Sequence, residues 1–232
     1  MRPVRLVMFD LDGTLVATAG EIQDAVNDTL RQFGLPLVDE QQVQDWIGHG
    51  TRTLLGEALA FASRTPVQRV RASDSFDALA AEFARHYARR CGTRSRLYPH
   101  VREVLGELRR HDVRVAVVTN KEQVFTELVL RQHGLTPLLD SVLSGDTAPA
   151  KKPDPAGLRA CMAAFDAEPL ECLFVGDSSI DVAAARAARV PVWAVSYGYN
   201  MGQPIAEAGP DRVLADLEPL LALAAECGVP TP

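Results

Sequence analysis

The chain lacks the features that would commit it to several common classes. Its four cysteines, Cys91, Cys161, Cys172 and Cys227, are scattered and form no C-x-x-C pair. At 232 residues it is too large to depend on disulfides, so reduced thiols in a cytosolic protein are expected. No apolar run approaches the roughly 20 residues needed to span a bilayer. Met1-Arg2-Pro3 leads straight into a strand-like run without a signal-peptide core, which points to a cytoplasmic protein. Positive charge is not in excess either. The formal net charge is −6, and an acidic surface argues against nucleic acid as the main partner. There is no G-x-x-x-x-G-K-[ST], no G-x-S-x-G and no G-x-G-x-x-G after a strand, so nucleotide-loop and serine-hydrolase chemistry have little support. No His/Cys cluster suggests zinc.

Apolar, β-branched runs are present at Val4–Phe9, Val113–Val118, Ser141–Leu143, Leu173–Val175 and Val192–Val195, with Val213-Leu214 as a short final strand. Runs that are continuous rather than alternating indicate strands buried on both faces. Helical patterns at Val101–Arg110, Lys121–His133, Pro155–Phe165 and Asp181–Ala188 separate most of them. This alternation predicts an α/β fold, a Rossmann-like parallel sheet with helices on both faces. From about Thr18 to about Cys91 no strand is evident, and helical patterns cover Glu21–Phe33, Glu40–Ile47, Thr51–Ala60 and Ser75–Arg90. The expectation is an inserted α-helical cap domain over 18–91 and a core domain from 1–17 and 92–232. The connections fall near Val16–Ala19 and Arg94–Pro99.

In an open parallel sheet, functional groups gather at the carboxyl ends of the strands. Asp10 and Asp12 follow the first run and point to one side if the extended backbone persists that far. Two like charges so close need a bound cation or a shared proton. Thr119-Asn120-Lys121, Lys151-Lys152-Pro153 and Gly176-Asp177-Ser178-Ser179-Ile180-Asp181 follow later strands. Four acids, a hydroxyl and a lysine on one rim suit a hard divalent cation such as Mg²⁺ together with a tetrahedral anion.

These four segments, Phe-Asp-Leu-Asp-Gly-Thr-Leu, Val-Thr-Asn, Lys-Lys-Pro-Asp-Pro and Val-Gly-Asp-Ser-Ser-Ile-Asp, resemble in order the motifs of the haloacid dehalogenase-like hydrolases. Trp46-Ile47-Gly48-His49-Gly50, Thr119-Asn120-Lys121 and Tyr197-Gly198-Tyr199-Asn200 resemble the phosphoglycolate phosphatase branch. The resemblance implies that Asp10 is the nucleophile and Asp12 the general acid and base. It implies Mg²⁺ on Asp10, the backbone carbonyl of Asp12, and Asp177. Thr119, Asn120 and Lys152 would bind the phosphoryl group, and Asp181 would orient Lys152 or a metal-bound water. Asp12 argues against dehalogenation, since the dehalogenases of the superfamily lack the second acid.

Simpler readings stand beside these. Thr119 also suits the N-cap of a helix beginning near Lys121. Asp181 also suits a helix N-terminus. Lys152, which directly precedes the proline, matches the motif lysine, and Lys151 is taken as its exposed neighbour. Gly48-His49-Gly50-Thr51-Arg52 is either a helix–helix turn or a loop closing on the leaving group, with Arg52 or His49 meeting a substrate carboxylate. Three departures from the branch pattern stand out. Val16-Ala17-Thr18 replaces a segment that usually carries Asp-Ser, Ala188-Arg189 replaces Ala-Gly at a helix end, and Gly48-His49-Gly50 replaces Gly-Asn-Gly.

The implied activity is Mg²⁺-dependent hydrolysis of a small phosphorylated metabolite, 2-phosphoglycolate first, in carbohydrate metabolism. Another phosphatase substrate (a sugar phosphate or pyrophosphate), a phosphomutase, or a silent phosphate-binding module are the alternatives. No lysine lies between Thr18 and Cys91, which excludes phosphonate cleavage through a cap Schiff base. Monomer and homodimer both remain open.

Overall fold

A computed structural model describes residues 3–227. The chain begins with β1 (Leu6–Phe9) and β2 (Val16–Ala17). It then runs through five helices, α1 (Ala19–Gln32), α2 (Glu40–Trp46), α3 (Thr51–Ser63), α4 (Val67–Arg71) and α5 (Phe76–Arg90). β3 (Arg96–Leu97) returns it to a second series. This comprises α6 (Val101–Arg110), β4 (Arg114–Val118), α7 (Gln123–Gln132), β5 (Ser141–Leu143), α8 (Ala156–Ala164), β6 (Cys172–Gly176), α9 (Ser179–Ala188), β7 (Val192–Val195), β8 (Arg212–Leu214) and α10 (Pro219–Cys227).

Six strands form one parallel sheet in the order β5-β4-β1-β6-β7-β8. The unbroken apolar runs have a direct cause: successive side chains feed two separate cores. Val7, Phe9, Val115, Val117, Leu173 and Val175 pack with α6, α7 and α10 on one face. Leu6, Met8, Ala116, Val118, Cys172 and Phe174 pack with α8 and α9 on the other. The α/β sheet covered on both faces is thus as the sequence implies. β5 departs from the expectation, because as an edge strand it leaves Val142 exposed.

The five helices between β2 and β3 bury a third apolar cluster that includes Ile22, Val26, Leu30, Leu55, Leu59, Phe83 and Tyr87. α2 starts at a reciprocal cap in which Asp39 accepts the Gln42 N–H and Gln42 accepts the Asp39 N–H. α4 and α10 were not anticipated. A five-residue helix is too short to display a period, and α10 is apolar all round. Nor was the pairing of β2 with β3, which joins Val16 to Leu97 and Ala17 to Arg96 antiparallel. A two-residue strand leaves no alternation to read. This ribbon ties together the two connections of the helical insert. Among the described residues no helix is long and apolar enough to cross a membrane.

Candidate active site

Three parallel strands, β1, β4 and β6, are adjacent in the sheet, so residues that follow them meet at one edge. Asp10 follows β1 directly, and its N–H donates to the Val175 carbonyl of β6 at 2.9 Å. Its Oδ1 accepts the Leu11 N–H at 2.7 Å and lies 3.0 Å from Lys152 Nζ. Burial raises the Asp10 pKa to about 6, against the pull of Lys152. Lys152 also reaches Asp181 Oδ1 at 2.7 Å.

Asp181 serves two ends. It is the third residue of α9, where Ser178 caps the helix through a reciprocal box. Its Oδ2 accepts from Ser178 Oγ at 2.7 Å, Ser178 N at 3.0 Å and Asp177 N at 3.2 Å. Helix capping and the grip on Lys152 therefore coexist. Asp177 is held from two sides: Thr14 Oγ1 donates to Oδ1 at 2.7 Å and the Tyr199 N–H to Oδ2 at 2.6 Å. Gly13, at φ +84°, makes room for it; a Cβ there would lie 2.2 Å from Asp177 Oδ2.

Oxygens of Asp10, Asp177 and Asp181 lie within 4.8 Å of one another. Burial pushes the Asp177 carboxyl well above the carboxylate range, and Asp181 and Asp10 push it further. Lys152 is the lysine that counters this buried negative charge. An all-oxygen, acidic donor set of this kind fits a hard divalent cation.

Asp12 is placed differently from its neighbour. Its carboxylate turns to Lys121, whose Nζ stands 2.9 Å from both oxygens, and accepts Thr18 Oγ1 at 2.7 Å. The expected contact of Asp12 with a metal is through its backbone carbonyl, which this side-chain position leaves untouched. Lys121 is fully buried and also meets Tyr87 Oη of α5 at 2.5 Å. Burial alone would lower its pKa, but Asp12, Cys91 and Glu21 together outweigh burial and raise it.

Other expected residues diverge from expectation. Thr119 is buried at the end of β4, where its Oγ1 accepts the Lys121 N–H at 3.3 Å; the helix itself begins only at Gln123. The Asn120 side chain is already committed. It donates to the Gly48 and Lys152 carbonyls and accepts the Lys152 N–H, each at 2.8 Å. The side chain thus ties the β4 loop to the Lys152 loop and the helical insert. Lys151 is more than an exposed neighbour: it pairs with Glu122 at 3.2 Å, and Glu122 accepts Thr51 Oγ1 of α3 at 2.6 Å.

Both residues named in the cap loop face away from the carboxylates of the sheet edge. His49 is exposed. Arg52 points outward, where it pairs with Asp77 and lies over the Phe76 ring, 4.8 Å from its centroid. Once Thr51 begins α3 against Glu122, residue 52 falls on the opposite side of the helix start. Between the insert and the sheet edge is a cavity of about 30 Å³ lined by Asp10, Asp12, Thr119 and Lys121 below and by Ile22, Ile47, Gly50 and Leu54 above. A Cβ at Gly50, at φ +91°, would come within 2.9 Å of the Asn120 carbonyl, so the loop sits directly on the core.

Residues 7–195 match the haloacid dehalogenase-like hydrolase family. The chain belongs to the haloacid dehalogenase-like hydrolases. It is 39% identical over 219 residues to the phosphoglycolate phosphatase of Vibrio vulnificus, covering 94% of this chain and 95% of that one. With phosphoglycolate phosphatase 1 of Pseudomonas aeruginosa it shares 41% identity over 94% of this chain and 78% of that protein. The crystal structure of a predicted phosphoglycolate phosphatase from Haemophilus somnus superposes with a TM-score of 0.89 at 34% identity, covering 96% and 99% of the two chains. This member of the haloacid dehalogenase-like hydrolases is an enzyme of the phosphoric monoester hydrolase class.

Within the family frame, the departures in sequence acquire structural content. Thr18 replaces the usual polar hinge with a hydroxyl on Asp12 and a backbone N–H on Tyr199 Oη at 3.1 Å. Tyr199 Oη also accepts the Ala19 N–H at 3.1 Å, so one residue, through its backbone N–H and its hydroxyl, links Asp177 to the start of α1. Arg189 does adopt the left-handed conformation, φ 62°, at the end of α9. Three residues with clear structural roles had received none: Lys121, Glu122 and Glu21, whose buried carboxylate accepts the Gly92 and Ser95 N–H groups at the second connection. The signal for Lys121 was its position immediately after Thr119-Asn120 at a strand end.

Proposed function

We propose that this enzyme is a Mg²⁺-dependent phosphatase for a small phosphomonoester, 2-phosphoglycolate first. The observation that carries the reading is the division of labour between Asp10 and Asp12. Asp10 lies against Lys152 and near Asp177, while Asp12 stands on the other side with its own partner. The Asp10 carboxylate attacks phosphorus, and the bond from phosphorus to the ester oxygen breaks. Asp12 gives its proton to the leaving alcohol and takes one from the water that next attacks the aspartyl-phosphate, releasing phosphate. Thr119 and Lys152 hold phosphoryl oxygens, and Asp181 keeps Lys152 in place. Mg²⁺ on Asp10, the Asp12 backbone carbonyl and Asp177 would lower the repulsion between carboxylate and phosphate.

The phosphoglycolate phosphatases to which the chain is similar support the same substrate. We assign the helical insert, residues 18–91, as a cap over a core of 1–17 and 92–232, because the insert has its own apolar cluster and two linked connections. Free thiols at Cys91, Cys161 and Cys172 support a cytoplasmic setting. Replacing Asp10 by Asn should reduce phosphate release from 2-phosphoglycolate to background with an unchanged circular dichroism spectrum. Retained turnover would refute the mechanism.

A further inference from the structure

The chain contains only three lysines, Lys121, Lys151 and Lys152, against 21 arginines. All three lie at the carboxyl edge of the sheet, each facing a carboxylate. An ammonium is a compact point charge that fits where a planar guanidinium does not. Two of these lysines have local duties. Lys152 is engaged by Asp10 and Asp181, and Lys151 by Glu122 beneath Thr51. Lys121 is different. Among the described residues that line the cavity it is the one cation. It stands beside Asp12, on the side where the leaving alcohol must receive its proton. The lining on the helical side carries no charge: its larger side chains are Ile22, Ile47 and Leu54, and the hydroxyl of Thr51 is spent on Glu122. Arg52, the obvious cation for an anionic alcohol, is committed to Asp77 and Phe76 on the outer surface.

We infer that Lys121 is the specificity-determining residue for the leaving group: its ammonium takes the carboxylate of an acidic alcohol and exchanges Asp12 for it as the substrate enters. The inference rests on the phosphatase reading above and names the chemical class of its alcohol, a short 2-hydroxy carboxylate. In the unliganded arrangement both Asp12 oxygens are held by Lys121, and the hydroxyl of Thr18 also occupies one of them. A substrate carboxylate on Lys121 releases Asp12 to face the ester oxygen while Tyr87 keeps the ammonium in place. A neutral alcohol makes no such exchange. Burial strengthens the preference, because once Asp12 turns to the ester oxygen the buried ammonium requires another anion.

The test compares 2-phosphoglycolate with 2-hydroxyethyl phosphate, which is nearly the same size but carries a hydroxymethyl group in place of the carboxylate. The wild type should favour 2-phosphoglycolate in kcat/KM by 100-fold or more. Lys121→Met disturbs Asp12 on either ester, but it should lower kcat/KM for 2-phosphoglycolate at least 10-fold more than that for 2-hydroxyethyl phosphate, the excess appearing chiefly in KM. Equal losses on both esters would overturn the inference and leave Lys121 a positioning residue for Asp12. A wild type that hydrolyses 2-hydroxyethyl phosphate and not 2-phosphoglycolate would instead overturn the substrate reading itself. Should the variant lose its thermal transition, the wild type labelled with ¹⁵N at the lysine Nζ decides the matter through its three ammonium signals. Glycolate should shift one of them and ethylene glycol at equal concentration should not; no selective shift would refute the inference.

Discussion

Asp10 and Asp12 lie two residues apart and face different chemistry. Asp10 lies among buried carboxylates with one lysine, and Asp12 is paired with another. In the proposed mechanism this separation lets a nucleophile and a proton carrier coexist without sharing a proton. At this scale the residue types at the strand ends were readable: aspartate, threonine and lysine each suit phosphoryl chemistry, and all converge. Side-chain direction was not readable. Asn120 looked available and is spent on two backbone carbonyls. Arg52 looked suited to a carboxylate and turns outward to Asp77. Arg52→Ala should therefore leave KM for 2-phosphoglycolate within about 2-fold of wild type, since surface ion pairs contribute little. Steady-state kinetics checks this, and a 10-fold rise in KM would return Arg52 to the site.

Elements carry these residues to one place. The central strands were legible because their apolar runs feed two cores at once. The β2–β3 ribbon was not, because its two pairs depend on residues some 80 positions apart. The register of β4 has its own anchor. Asp140 accepts the Val115 N–H at 2.9 Å and Arg114 at 3.0 Å, and pairs with Arg109 of α6 at 3.2 Å. Burial pushes its carboxyl up, but the Val115 N–H and the two arginines outweigh burial and hold it below the usual range. A depressed folded pKa adds stability above the unfolded value, near 3.9, and loses it as pH falls through the folded value. Asp140→Asn should thus cost about 1 kcal/mol at pH 7, the exposed arginines being screened by solvent. The deficit should shrink below about pH 4. Urea unfolding of both proteins at pH 7 and pH 3 measures it; an undiminished deficit at pH 3 would refute the assignment.

Across the whole molecule, the site is an agreement between two bodies of packing. The sheet edge supplies Asp10, Asp12, Thr119, Lys121, Lys152 and Asp177. The helical layer supplies Ile22, Gly50, Leu54 and Tyr87. Crowded carboxylates at the edge make metal binding a matter of global stability. Mg²⁺ at 100 times its Kd should raise the unfolding free energy by about 2.7 kcal/mol, or about 5–10 °C in Tm. EDTA should reverse the shift and Asp177→Asn should abolish it in differential scanning calorimetry; a Tm indifferent to Mg²⁺ would exclude the site. The sequence by itself determined the sheet, the helical insert and the groups that gather at the sheet edge, because strand period, buried apolar runs and the chemistry of carboxylates are local properties. Only the tertiary structure decided which cation faces Asp12. Lys121, Tyr87 and Thr18 are far apart along the chain; the meeting of Lys121 and Thr18 on Asp12, and of Tyr87 on Lys121, depends on how α1 and α5 settle over β4. That settling is governed by the packing of side chains in three dimensions, which no local pattern records.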